Sequence, residues 1–375
     1  MTAGAAELAA VAACFAFDGT LTSAAPLGRG HIHDSYLLGF DAGGARRYVL
    51  QRINTHVFAE PPALMHNVAR VTAHLRDRYA TRAGRDARRR SLSLVATVDG
   101  GHVARDAVGG WWRAYDYIDG SVAHEAIGSN EQARSAARAY GEFQRMLADL
   151  PAPRLSETIP GFHVTPQRVR QLEHAVGRDA ACRAARARPE IELALAQRTL
   201  ADALLARHRA GALPERITHN DTKLNNVLFD AHTDEALCVV DLDTVMPGLA
   251  AWDFGDLVRS CALAREDSAD PGGVELDLGL FESLLRGYLE GAGDMLTAAE
   301  RDVLPLACTL MAYELGMRFL TDYLNGDVYF KTTHAEHNLE RARVQLELML
   351  AMERQARAMT DLVAALARER TAQPR

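Results

Sequence analysis

The stretch ITHNDTKLNNVLFD, residues 217–230, decides how this chain is read. It sets His219, Asp221, Lys223 and Asn226 at offsets of zero, two, four and seven. A carboxylate that can accept a proton, an ammonium two places on and an amide oxygen beyond it suit chemistry in which negative charge accumulates. Fifteen residues after Asn226 an apolar, β-prone run, ALCVVDLDTV (236–245), carries Asp241 and Asp243 at its end. An H-x-D is common by chance, and a lone aspartate after a strand is usually a turn cap. The ordered set is far more specific than any member.

The catalytic loop of protein kinases, H-R-D-x-x-x-x-N, spaces its histidine, aspartate and asparagine in the same way. On that pattern Asp221 accepts the proton of the attacking hydroxyl and Lys223 neutralises charge on the transferred phosphoryl group. Asn226 and Asp241 are the metal ligands, because magnesium selects hard oxygen donors. His219 is expected to pack and hydrogen-bond rather than transfer protons. Two other segments look like motifs and are rejected. Asp253, Phe254 and Gly255 spell D-F-G, but PGLAAW before them is no apolar strand. Asp253 is expected to support the catalytic loop, with it or Asp256 capping a helix. FAFDGTL (15–21) resembles a phosphatase motif whose nucleophilic aspartate would stand where this chain has Ala16.

A phosphate-binding segment is expected at LGRGHIHDSYLL (27–38), where Gly28 and Gly30 let backbone amides approach a phosphate and His31 lies beside them. Kinases place a cation on the following strand. Gln51 and Arg52 are the candidates, alternation allows one of them to face the nucleotide, and Arg52 is chosen for its charge. No glutamate partner for that cation is evident, since Glu60 precedes the next helix and His66 lies on it. Tyr117 and Ile118, in DYIDG, are the expected hinge at which backbone groups bond adenine. His31 and His33 form an H-x-H without further ligands, which argues against zinc.

The rest of the chain fits a two-part α+β protein. Its 375 residues, 48% hydrophobic and 24% charged, are enough for a sizeable core. The net charge of −7 argues against a nucleic-acid binder. Five scattered cysteines, the absence of a basic leader and the lack of a long apolar run point to a cytoplasmic protein away from membranes. Strands are predicted at SYLLGF, RRYVLQRIN, SLSLVATV, GHVARDA and WWRAYDYI. A helix beginning at PPALMH should bury Leu64, Val68, Val71 and Leu75. The arginines at 82, 85, 88, 89 and 90 read as a solvated loop. From about Asn130 the periodicity is helical, interrupted by an apolar, β-prone segment from RITHN to CVVDLD, after which it is helical again to the C-terminus. The expected division is a nucleotide-binding lobe, 1–118, and a helical catalytic and substrate lobe, 119–375.

The catalytic loop, Asp241 and WDFGDLVR resemble the aminoglycoside phosphotransferase and choline kinase-like family. GRGHIHDSY, YVLQRINTHVF, LMHNV, ETIPGFH, VVDLDTVMPG and ELGMRFLTDYLNGDVYF are similar to its N-acetylhexosamine 1-kinase branch, and together they span nearly the whole chain. His33, His66 and Val164 depart from that pattern. The resemblance implies a protein kinase-like fold, with a small antiparallel-sheet lobe and a larger helical one. It also implies ATP and Mg2+ as cofactors and an amino sugar phosphorylated at its anomeric hydroxyl. His163, Arg318, Asp322 and Tyr323, with Phe162, are candidate acceptor contacts. Another small alcohol such as an aminoglycoside, or a catalytically silent nucleotide-binding protein, are the alternatives.

Overall fold

The structure is a computed structural model that describes residues 3–28, 32–81, 84–263 and 274–372. Contacts divide the chain into two compact units. The first comprises Met1–Ser121, Asp149–Pro160 and Leu237–Met246, and the second Val122–Ala148, Gly161–Ala236 and Pro247–Arg375. Two segments from the later part of the sequence, one of them carrying Asp241 and Asp243, therefore belong to the first unit. No helix among the described residues is long and apolar enough to cross a membrane.

The first unit begins with α1 (Ala5–Ala12), then β1 (Thr20–Pro26), β2 (Asp34–Asp41) and β3 (Ala45–Arg52). Helix α2 (Pro61–Ala80) follows, then β4 (Ala104–Arg105) and β5 (Trp111–Asp116). The strands form one antiparallel sheet in the order β1-β2-β3-β5-β4. Alternation sends Tyr36, Leu38 and Phe40 of β2, Tyr48 and Leu50 of β3, and Trp112 and Ala114 of β5 into a core closed by Leu8 and Val11 of α1. Strand β1 escapes prediction because TLTSAAP is almost wholly exposed and shows no apolar alternation. The expected strand at SLSLVATV is irregular, making isolated bridges at Leu94 and Thr97. The arginine-rich stretch, expected to be a loop, includes a 3-10 segment at Gly84–Arg89.

Helix α2 buries Leu64, Val68, Val71 and Leu75 as its periodicity requires. Its buried Asn67 ties down both inserted segments. The side-chain amide donates to the carbonyls of Ser156 (2.8 Å) and Val245 (3.2 Å), and its oxygen accepts the Ser156 N–H (3.0 Å).

The second unit is mainly helical. Its helices are α3 (Asn130–Leu147), α4 (Thr165–Arg178), α5 (Arg188–Ala196), α6 (Ala203–Arg209), α7 (Ala250–Cys261), α8 (Leu278–Ala292), α9 (Ala298–Asp302), α10 (Leu304–Asn325) and α11 (His337–Ala372). A short 3-10 segment, Arg198–Asp202, separates α5 from α6. Helices α3 and α8 cross at glycines. A Cβ at Gly141 would overlap the Tyr288 carbonyl, and one at Gly287 or Gly291 would overlap the carbonyl of Arg134 or Arg138. These positions let two backbones approach more closely than side chains permit.

Candidate active site

The segment after Thr218 turns sharply because Asn220 adopts a left-handed conformation, φ 65°, which asparagine tolerates better than most residues. The turn is gripped by Asp253, in the first turn of α7. One carboxylate oxygen accepts the His219 N–H and the other the Asn220 N–H, each at 2.8 Å, and Gln144 of α3 adds a third bond at 2.5 Å. The Thr222 hydroxyl donates to the Asp253 carbonyl (2.6 Å). Burial pushes the Asp253 carboxyl above its usual range, while His219 and the two backbone N–H groups pull against that rise. Support of the loop is therefore what Asp253 provides. The expected helix cap is not formed: Leu249 stands at the α7 N-cap, and Asp256 lies within the helix, bonded to Arg259 at 2.8 Å.

Held in this way, Asp221 has the Lys223 ammonium 3.4 Å from its carboxylate. The Asn226 amide nitrogen donates to the Asp221 carbonyl (2.8 Å) and carboxylate (3.2 Å), so its side-chain oxygen is the end suited to a hard cation. Tyr140 of α3 donates to the Lys223 carbonyl at 2.7 Å. The His219 ring lies edge-on to Tyr140 and Phe143 and is fully buried, a packing role.

In the first unit, Asp241 adopts φ 58° immediately before a 3-10 turn, Leu242–Thr244. A carboxylate oxygen of Asp241, one of Asp243 and a ring nitrogen of His33 all lie within 4.8 Å of one another. Asp243 and His33 are held by further bonds. Both Asp243 oxygens are engaged by the guanidinium of Arg113. His33 Nε2 is 2.5 Å from the same carboxylate, and its Nδ1 accepts the Asn54 N–H at 3.1 Å. That acceptance fixes the tautomer, with the proton on Nε2 donated to Asp243. Burial opposes ionisation of Asp243, but Arg113 and His33 overcome it and hold its carboxyl far below the usual range. A three-ligand His33–Asp241–Asp243 metal centre does not fit these bonds; Asp241 offers a carboxylate, the donor type that a hard cation takes.

Strand alternation puts Gln51 and Arg52 on opposite faces of the sheet and goes against the choice made on charge. Arg52 lies on the core face with Leu50, near Trp112 (5.8 Å) and Asp106 (3.8 Å). Gln51 lies on the other face, donating to Ser35 (2.9 Å) and accepting from Arg113 Nε (3.0 Å). Strand β5 adds a cation on that face, Arg113, which stands directly opposite Gln51. Sequence reasoning missed Arg113, although a lone charge between Trp112 and Ala114 in an apolar strand signals a buried partner.

In the segment expected to be the hinge, the Tyr117 N–H is bonded to the Arg47 carbonyl (3.1 Å), and the Ile118 carbonyl accepts from Ser121 (2.6 Å). Those two backbone groups thus have internal partners. Gly28 has φ 69° with open space around it; Gly30 and His31 lie outside the described residues.

Of the candidate acceptor contacts, three are structural. His163 has both ring nitrogens engaged, by Glu314 (2.7 Å) and the Asn220 carbonyl (2.9 Å). Asp322 organises the turn after α10. Its carboxylate accepts the N–H groups of Val328 (3.0 Å), Tyr329 (2.8 Å) and Phe330 (2.9 Å), together with the Asn338 amide (2.9 Å). Tyr323 is fully buried, its hydroxyl on Glu336 (3.2 Å) and its ring under Arg183 (4.6 Å). Arg318 is different. Its guanidinium lies over the rings of Phe162 (5.1 Å), Phe330 (5.5 Å) and Tyr329 (5.8 Å).

Comparison with known proteins agrees with this architecture. The microcompartment-associated aminopropanol kinase superposes with a TM-score of 0.57 at 16% identity, over 95% of this chain and 98% of that one. A choline kinase from Cryptosporidium parvum Iowa II gives 0.57 at 12% identity, over 91% and 92%. Amicoumacin kinase, in complex with AMP-PNP and Ca2+, gives 0.57 at 14% identity, over 92% and 93%. At these identities the likeness establishes the kinase-like α+β fold. The phosphotransferase enzyme family matches residues 23–300, most of the chain, and the protein belongs to that family.

Proposed function

We propose that the protein is a magnesium- and ATP-dependent small-molecule kinase acting on the anomeric hydroxyl of an N-acetylhexosamine to give the sugar 1-phosphate. The kinase reading rests on one observation above the others: the loop carrying Asp221, Lys223 and Asn226 is clamped through its backbone by Asp253. In this reading Asp221 takes the proton of the acceptor hydroxyl as its oxygen attacks the γ-phosphorus, and ADP leaves. Lys223 offsets charge on the transferred group. Asn226 and Asp241 are the hard-oxygen donors assigned to magnesium, which when bound neutralises charge on the phosphates. Residues 1–118, with Gly28, Gly30 and His31, are assigned to the nucleotide. The Ile118 N–H and Tyr117 carbonyl are the hinge groups assigned to adenine. Residues 119–375 are assigned to catalysis and the acceptor.

The sugar is supported by the motifs shared with the N-acetylhexosamine 1-kinase branch. Arg318 among three aromatic rings also suits an acceptor rich in oxygen atoms, and it disfavours a polycation such as an aminoglycoside. The test offers ATP and magnesium with N-acetylglucosamine, N-acetylgalactosamine, choline and aminoglycosides, and locates the phosphate by NMR. Phosphate on the anomeric oxygen is expected. Transfer elsewhere, or to aminoglycosides alone, replaces the sugar 1-kinase reading, and no transfer at all favours a silent nucleotide-binding protein.

A further inference from the structure

His163 and Glu314 form a buried pair directly behind the catalytic loop. Their side chains are 3% and 1% exposed. The Asn220 carbonyl can only accept, so the Nε2 atom of His163, 2.9 Å away, carries a proton. Nδ1 is 2.7 Å from one oxygen of Glu314, whose other oxygen accepts the Thr165 hydroxyl at 2.6 Å. In the ion-pair form Glu314 accepts at both oxygens and the second proton resides on Nδ1, a buried pair in direct hydrogen-bond contact.

We propose that His163 is a resident imidazolium that fixes the Asn220 carbonyl and is thereby a positioning residue for Asp221. This rests on the reading of Asp221 as the base. The Asn220 peptide groups are then held on both sides, the N–H by Asp253 and the carbonyl by His163. Such a clamp offsets the strain of a left-handed residue next to the base. The groups that face the ring are Glu314 of α10 and Asp256 of α7, with Arg318 acting on Glu314 one helical turn on. Burial opposes the charged ring, but Glu314 and the Asn220 carbonyl outweigh it and raise the pKa of His163.

Nitrogen-15 NMR of histidine-labelled enzyme, with the signal assigned by loss in His163→Gln, reads the charge directly. Both ring nitrogens protonated at neutral pH is the expected result, and a single-tautomer neutral ring overturns the proposal. Glu314→Gln keeps an acceptor but removes the charge, so the alkaline limb of the kcat profile should move to lower pH. An unmoved limb counts against the clamp. His163→Gln should lower kcat roughly 10- to 100-fold with KM for ATP little changed; a change confined to KM also counts against it. Asp221→Asn separates the two ideas: if it remains active the base assignment fails, whatever the state of His163. A neutral His163 beside an inactive Asp221→Asn variant removes only the clamp.

Discussion

Arg113 on β5 stands directly opposite Gln51 on β3 and donates from Nε to its side-chain oxygen at 3.0 Å. The rest of the guanidinium binds Asp243, so a buried ion pair is built on the sheet face opposite the core. Arg113→Met leaves Asp243 charged, buried and without this partner, and should cost about 3–5 kcal/mol of stability in a denaturant titration. Arg52→Ala should cost no more than about 1 kcal/mol, since Arg52 is partly exposed and 3.8 Å from Asp106.

Asp221→Asn should lower kcat by about 10²- to 10⁴-fold while ATP affinity, followed by calorimetry, stays close to wild type. Retained turnover would remove Asp221 from the role of base.

Asp253→Ala takes away the acceptor for two backbone N–H groups and Gln144. Each buried donor left without a partner costs about 1–3 kcal/mol, so chemical denaturation should show a loss of several kcal/mol. Were Asp253 a metal ligand instead, the variant would chiefly change the magnesium dependence of the rate.

Gly287→Ala places a methyl group against the Arg134 carbonyl where α8 crosses α3. A loss of about 1–3 kcal/mol is expected in thermal or denaturant unfolding. Gly28→Ala meets no such neighbour, so any cost to stability there comes from the left-handed backbone.

The His163–Glu314 pair predicts two limbs of stability against pH. His163 binds its proton more tightly in the folded state, so its contribution is full below the ordinary value of 6.5 and is lost as pH rises through the raised native value. Glu314 is lowered by His163 against the opposing effect of burial. Its contribution is full above the ordinary value of 4.5 and is lost as pH falls through the native value. Denaturation measured across this range should show both limbs in the wild type and each of them diminished in a His163→Gln, Glu314→Gln double variant, with the acid limb that remains belonging to other lowered carboxylates such as Asp243.

Local pattern made much of the protein legible. The helical period of α2 named Leu64, Val68, Val71 and Leu75, and all four are buried. The spacing of Asp221, Lys223 and Asn226 survives as real proximity because the residues of one short loop cannot separate far. Strand β1 was hidden because an exposed edge strand has no apolar alternation to reveal it.

The α+β class and the proximity of Asp221, Lys223 and Asn226 thus follow from short-range periodicity and spacing, which any stretch of chain carries within itself. The partners of the buried charges do not. Arg113 meets Asp243, 130 residues away, and His163 meets Glu314, 151 residues away. A buried charge requires a partner, but nothing in its own neighbourhood says which one, because that choice is made by the packing of elements distant in the chain.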